Sequence, residues 1–115
     1  MHELSLAQTL VEQVERIRAR ENGAAVISVT VNIGALSGVD RSAFEFAFPL
    51  VAEGTALAGA ALVIEMTPAA STCEHCGEIS PLSLDDIRCA KCGSRDVRIT
   101  AGRDFLIQSV ELEGT

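Results

Sequence analysis

The chain has 115 residues, a length that fits one domain or a small domain carrying a smaller module. Hydrophobic residues make up 48% of it and can form a core, but aromatic residues make up only 3%, so stacking platforms for bases or sugars are largely absent. The formal net charge of −7 disfavours nucleic acid and anionic membranes as partners, and no apolar stretch is long enough to span a bilayer.

The first elements predicted along the chain are a helix and a strand. Apolar residues recur at helical spacing from about Leu4 to Arg20, and Asn22-Gly23 is a stop signal. Strict alternation of apolar and polar residues then predicts a strand with one buried face. That face comprises Ile27, Val29, Val31 and Ile33.

The second helix is predicted from a capping pattern. Ser42-x-x-Glu45 resembles a capping box, and Pro49 would kink or shorten the helix that it opens. Alternation from Leu62 to Met66 then predicts a second strand.

The last part of the chain is predicted to contain a further strand, from Ile99 to Glu113. Its alternation places three residues on one face, and these are Phe105, Ile107 and Ser109. The segment before it has little apolar periodicity, so a metal would take the place of a core there.

Together these elements predict an α+β fold, with a small body of two helices and three to four strands and an inserted zinc-ribbon module. The body would be discontinuous, comprising residues 1–70 plus 98–115. The zinc-binding ribbon module would comprise residues 71–97.

The strongest motif is a pair of matched C-x-x-C-G segments, with twelve residues between the two pairs of cysteines. They contain all four cysteines of the chain: Cys73, Cys76, Cys89 and Cys92. Two tight turns in this spacing aim four thiolates at one tetrahedral point. Every coordination position is then a protein ligand, which predicts structural zinc with no open position for a substrate. A rubredoxin-like iron centre is the competing interpretation.

Other functions for the cysteine segment are less well supported. The basic residues around it are matched by acidic ones, so no patch for nucleic acid is expected. A zinc hydrolase is disfavoured because the site is closed and no H-E-x-x-H motif exists, whereas a zinc-ribbon adaptor for another protein stays open. The N-terminal residues lack the pattern of a signal peptide, so a cytoplasmic protein with reduced thiols is expected.

The two histidines, His2 and His75, differ as candidate ligands. His75 lies inside the first cysteine motif and is expected to point to solvent, with substitution for a thiolate as the alternative. The His2 imidazole, its backbone amide and a free terminal amine can chelate one metal in fused rings, which suits Ni(II) or Cu(II). A solvated terminal histidine is the alternative that the residues alone favour, because any chain can begin Met-His.

Met1-His2-Glu3, the amphipathic helix after it and the paired C-x-x-C-G motifs together resemble the HypA/HybF family of nickel metallochaperones, over essentially the whole chain. The resemblance implies a carrier, not an enzyme, that binds Ni(II) and delivers it during maturation of nickel–iron hydrogenase, and in some organisms of urease. It implies two partners, a nickel-handling GTPase and the hydrogenase large-subunit precursor. The client enzyme and the oligomeric state, including a homodimer, stay undetermined.

For the nickel site the resemblance implies His2 as the essential ligand, with the Met1 amine and the backbone nitrogens of His2 and Glu3 beside it. Asp40 lies where the family can supply a nearby carboxylate, although an Asp that caps a loop is an equal interpretation. The four cysteines would hold structural Zn(II). Ala90 departs from the proline that the family usually has in the second motif, which would loosen that turn without removing a ligand.

Overall fold

The computed structural model describes residues 2–83 and 85–114 of the chain. The helices in that part of the chain are α1 (His2–Arg20) and α2 (Arg41–Ala52). The strands are β1 (Val26–Gly34), β2 (Ala61–Thr67), β3 (Ala70–Cys73), β4 (Ile79–Pro81), β5 (Val97–Ala101) and β6 (Phe105–Leu112). The predicted α+β fold class, with two helices and a four-cysteine module, is confirmed. None of the described helices is both long enough and apolar enough to cross a membrane.

Three strands form the body sheet, in the order β2-β1-β6. β1 and β2 are parallel and are joined by the crossover through α2, whereas β6 returns antiparallel to β1. The two helices and one face of this sheet enclose the hydrophobic core, because their apolar stripes can be buried only against each other. Its fully buried large side chains are Leu10, Val14, Val29, Val31, Ile33, Phe44 and Leu57.

The predicted buried face of β1 is wrong at its first residue. The register with β6 shifts between Val26 and Ser28, so the alternation starts one residue earlier than the sequence indicates. Val26 is therefore 8% exposed and Ile27 is 43% exposed. Val29, Val31 and Ile33 are buried as predicted.

The prediction of one continuous strand from Ile99 to Glu113 is also wrong. The extended conformation ends at Gly102, whose φ of 90° is accessible to few other residues, and β5 and β6 on either side of it belong to different sheets. Within β6 the register shifts at Gln108, which puts Val110, and not Ser109, on the core face.

α2 begins one residue before the predicted capping box. Its N-cap is Asp40, whose carboxylate accepts a hydrogen bond from the Ala43 N–H at 2.9 Å. Glu45 instead pairs with Arg41 of the same helix at 3.2 Å. The helix continues through Pro49 to its end at Ala52.

The ribbon sheet comprises the remaining strands in the order β4-β3-β5, with both pairings antiparallel. The molecule is elongated, since its radius of gyration is 17.7 Å, whereas a compact domain of this length has about 13 Å. The strands of the ribbon sheet reach residues 70 and 101, slightly beyond the predicted bounds of the ribbon module. The division of the chain into body and ribbon stays a prediction.

The chain passes between the two sheets twice, at residues 68–69 and 102–104, and the second crossing lies against Gly34, the last residue of β1. The Gly34 N–H donates to the Asp104 carbonyl at 2.8 Å, and the Leu36 N–H donates to the Gly102 carbonyl at 2.7 Å. A Cβ atom at Gly34 would lie only 2.3 Å from that Gly102 oxygen. The absence of a side chain at Gly34 therefore permits the close approach of the second crossing to the end of β1.

Candidate metal sites

The four cysteines lie on two turns with matching hydrogen bonds, the first knuckle (residues 73–77) and the second knuckle (residues 89–93). In the first, the Gly77 N–H donates to the Cys73 carbonyl at 3.0 Å; in the second, the Gly93 N–H donates to the Cys89 carbonyl at 2.9 Å. Both glycines have a positive φ, 74° and 76°, which a residue with a Cβ adopts only under strain. The repeated C-x-x-C-G sequence thus folds twice into the same turn.

The two knuckles bring the four sulfur atoms to one point. All four Sγ atoms lie within 4.8 Å of one another, and the Cys73–Cys92 and Cys76–Cys89 sulfur pairs are each 3.6 Å apart. Four sulfurs at about 2.3 Å from a zinc ion in a tetrahedron are about 3.8 Å apart. The donor set therefore fits a tetrahedral metal ion, and His75 is not among the described residues that converge on this point.

Backbone N–H groups stabilise negative charge on the first cysteine of each knuckle. The Cys76 and His75 N–H groups point at the Cys73 sulfur, at 3.5 and 3.4 Å, and lower the pKa of its thiol. In the second knuckle the Cys92 and Lys91 N–H groups lower the pKa of the Cys89 thiol to about 6. Each turn thus favours the thiolate form of its first cysteine, which is the form that binds metals.

One hydrogen bond between the second knuckle and β4 was not foreseen from the sequence. The Ala90 N–H donates to the Ser80 hydroxyl at 3.2 Å, so the residue that replaces the usual proline takes part in a hydrogen bond. Ser80 lies in β4 and is 2% exposed. Nothing in the local sequence marks it, because its partner is ten residues further along the chain.

His75 lies at the surface of the first knuckle. Its imidazole Nε2 is 3.4 Å from the Asp96 carboxylate, and its side chain is 66% exposed. The neighbouring Glu74 pairs with Arg98 at 2.7 Å. These pairs join the first knuckle to the chain that leads into β5.

The N-terminal candidate site lies at the other end of the chain, in the body. His2 is the first described residue of α1, its side chain is 61% exposed, and its Nδ1 is 3.8 Å from the Glu3 carboxylate. That carboxylate accepts a hydrogen bond from the Asp40 N–H at 3.0 Å, which ties the start of α1 to the start of α2. The structure therefore brings His2, Glu3 and Asp40 together, while the predicted Met1 amine lies outside the described residues.

Two helix N-termini meet at this site, and each contributes partial positive charge. The Glu3 and Asp40 carboxylates oppose that charge, Glu3 across the gap between the helices and Asp40 as the cap of α2. The Asp40 N–H is the main reason that the pKa of the Glu3 carboxyl lies below its usual value. The position of Asp40 agrees with the capping interpretation and also leaves it beside the His2 segment.

Fold and candidate sites define a small metal-binding protein with a closed cluster of four cysteines and, at the start of α1, an exposed histidine. A model of the HypA family, described as hydrogenase/urease nickel incorporation metallochaperones, matches residues 1–112. The chain belongs to the HypA family, as the resemblance indicated, and it is accordingly a maturation factor and not an enzyme.

Relatives and solved structures agree with this membership over nearly the full length. Hydrogenase maturation factor HypA of Nitrosospira multiformis is 39% identical over 97% of each chain. Hydrogenase maturation factor HybF of Escherichia coli is 35% identical over 98% of this chain and 100% of the relative. The solution structure of the nickel metallochaperone HypA from Helicobacter pylori covers 96% of each chain at 29% identity with a TM-score of 0.67. A second solution structure, of a HypA protein, gives a TM-score of 0.77 at 30% identity, over 100% of this chain and 98% of that one.

Proposed function

We propose that the chain carries Ni(II) at its N-terminus and delivers it during maturation of nickel–iron hydrogenase, with urease as a further client. The ligands would be the His2 imidazole, the Met1 amine, the backbone nitrogens of His2 and Glu3, and an oxygen of Asp40. The observation that carries the proposal is the exposed His2 at the start of α1, whose imidazole lies 3.8 Å from the Glu3 carboxylate, which in turn accepts a hydrogen bond from the Asp40 N–H. Family membership supports nickel as the metal, since the family is described by nickel incorporation.

The geometry of this site suits a carrier that must release its cargo. The first N–H groups of a helix have no partner within the helix, so the backbone nitrogens at the start of α1 are not committed to its hydrogen bonds. The exposed imidazole is accessible to a receiving protein as well as to nickel. An affinity near micromolar, about −8 kcal/mol, would hold nickel without preventing its transfer.

We also propose that Cys73, Cys76, Cys89 and Cys92 hold a structural Zn(II) ion. When bound, zinc would cross-link the two knuckles and supply no open coordination position. The support is the match between the sulfur separations and a tetrahedral thiolate site. Among the described residues, all the large apolar side chains that are fully buried lie in the body, whereas the fully buried side chains of the ribbon sheet are those of Ser71 and Ser80. The described part of the ribbon sheet therefore has no large apolar core.

The partners we propose are the nickel-handling GTPase and the hydrogenase large-subunit precursor of the maturation pathway. A carrier needs a donor or a recipient, and the relatives are named as hydrogenase maturation factors. We further propose a cytoplasmic location, where thiols stay reduced and free for zinc. The homodimer stays an open alternative for the oligomeric state.

Removal of the His2 imidazole tests the nickel site. In untagged protein that begins at Met1, His2→Ala should weaken Ni(II) binding by more than the roughly 10- to 100-fold that loss of an outer-shell partner causes. Titration calorimetry measures the affinity, and zinc content is measured in parallel to verify that the ribbon is intact.

His75→Ala is the matched control, because His75 is the other histidine of the chain and is similarly exposed. This variant should bind nickel as the wild type does. Wild-type nickel affinity in His2→Ala would exclude the proposed site.

A further inference from the structure

The second knuckle is held to the rest of the ribbon sheet by very few contacts. Its hydrogen bonds within the described chain stay almost entirely between residues 89 and 94: the Cys89 N–H donates to the Ser94 carbonyl, and the Lys91 and Cys92 N–H groups point at the Cys89 sulfur. In the part of the chain that the structure describes, one hydrogen bond leaves the second knuckle for the sheet, apart from the sulfur pairs. It runs from the Ala90 N–H to the Ser80 hydroxyl, at 3.2 Å.

Ser80 is well placed to orient the knuckle, because its own position is fixed. It lies in β4, opposite Ser71 of the central strand β3, and it is 2% exposed. β3, the strand that pairs with β4, ends at Cys73, the first cysteine of the site. The hydrogen bond therefore connects the second knuckle to a strand that is paired directly with the one that ends at the first cysteine.

We propose that Ser80 is a positioning residue for the four-cysteine site, which sets the second knuckle at the distance and angle that zinc requires before zinc binds. The inference rests on the proposed zinc site. It is specific to chains with an N–H at position 90, since proline has none to donate.

The expected effect follows from preorganisation. Without the hydroxyl, zinc binding must itself order the second knuckle, and the Ala90 N–H loses its partner. One such hydrogen bond corresponds to about 2- to 13-fold in an equilibrium constant, and more where the donor is left unsatisfied. Ser80→Ala should therefore weaken zinc binding about 5- to 20-fold and accelerate zinc release.

The test uses the full chain and Zn(II), with affinity and release rate measured by competition with a chromophoric chelator. Ser83→Ala is the matched control, because the Ser83 hydroxyl accepts from the Asp85 N–H at 3.2 Å and, among the described residues, has no hydrogen bond with either knuckle. It should stay within about twofold of the wild type. Cobalt(II) substituted for zinc should keep a tetrahedral thiolate spectrum in Ser80→Ala, because no ligand has been removed.

A double-mutant cycle with Ala90→Pro separates the hydrogen bond from simple packing. In the Ala90→Pro background the further change Ser80→Ala should have no effect, because the donor is already absent. If Ala90→Pro does not fold, hydrogen exchange at the Ala90 amide decides: it should be several-fold faster in Ser80→Ala than in the wild type.

Three results would overturn the inference. The first is a wild-type zinc affinity and release rate in Ser80→Ala. The second is an equal loss of zinc affinity on Ser80→Ala in the wild-type and the Ala90→Pro backgrounds. The third is an unchanged rate of hydrogen exchange at the Ala90 amide in Ser80→Ala. Wild-type protein that binds no zinc would instead overturn the zinc assignment itself.

Discussion

A single methyl group at Gly34 should destabilise the protein by about 3 kcal/mol, because the chain crossing at residues 102–104 lies directly against Gly34 at the end of β1. The added Cβ would lie 2.3 Å from the Gly102 oxygen and 2.9 Å from the Asp104 oxygen, whereas Cβ atoms essentially never approach closer than 3.0 Å. Both contacts are with backbone atoms, so no side chain can rotate away. The crossing at residues 102–104 must therefore move.

The magnitude follows from the steric overlap and the hydrogen bonds beside it. Overpacking of this kind typically costs about 1–3 kcal/mol. Displacement of the crossing also strains the Leu36-to-Gly102 and Gly34-to-Asp104 hydrogen bonds, each of which contributes about 1 kcal/mol. A loss of about 3 kcal/mol is a large part of the roughly 5–15 kcal/mol that holds a domain folded.

Urea denaturation of zinc-loaded Gly34→Ala, followed by circular dichroism, measures this loss. Gly38→Ala is the matched control, because Gly38 has a φ of 83° and no atom within 4 Å of a built Cβ. That variant should lose only the backbone-strain energy, about 1 kcal/mol. The reasoning fails if the two variants lose the same stability, or if Gly34→Ala loses none.

Two further predictions concern the candidate sites. The Glu3 carboxyl has a lowered pKa in the folded state because it accepts a hydrogen bond from the Asp40 N–H. Its contribution to stability should therefore be complete above the unfolded pKa and disappear as the pH falls through the folded pKa. The urea midpoint of Glu3→Gln should depend less on pH between about pH 3 and 6 than that of the wild type, and parallel curves for the two proteins would contradict this. Cys73→Ala should lose zinc and unfold the ribbon while the body stays folded, since the main hydrophobic cluster lies in the body; NMR spectra with complete loss of the dispersed signals of the body would refute that separation.

The parts of the fold that sequence patterns predicted well are those determined by local spacing. Each C-x-x-C-G segment forms its turn from five consecutive residues, and α1 follows an apolar stripe along one helix. The predictions that failed concern residues whose burial depends on pairing between strands that are distant in sequence. The register shifts that bury Val26 and turn Val110 toward the core depend on how β6 pairs with β1, about 80 residues away in sequence.

The N-cap of α2 and the hydrogen bond between Ser80 and the second knuckle were not predicted, for a related reason. Asp40 and Ser42 are both good capping residues, and the hydrogen bond from the Asp40 N–H to Glu3 of another helix helps to fix where α2 begins. The role of Ser80 is visible only once β4 lies beside the second knuckle. Sequence patterns identify such residues as capable of hydrogen bonding, but the tertiary structure selects their partners.

Asp40 links the stability of α2 to the proposed nickel site. One of its carboxylate oxygens accepts the Ala43 N–H, and a carboxylate can accept further hydrogen bonds or a metal on its other oxygen. Nickel bound there would share the carboxylate with the cap and would stand at two positive helix ends, which disfavour a cation. Glu3 and Asp40 offset that charge without forming a closed cage, because His2 stays exposed. A site built this way would bind nickel with moderate strength and would keep a face open to the protein that receives it.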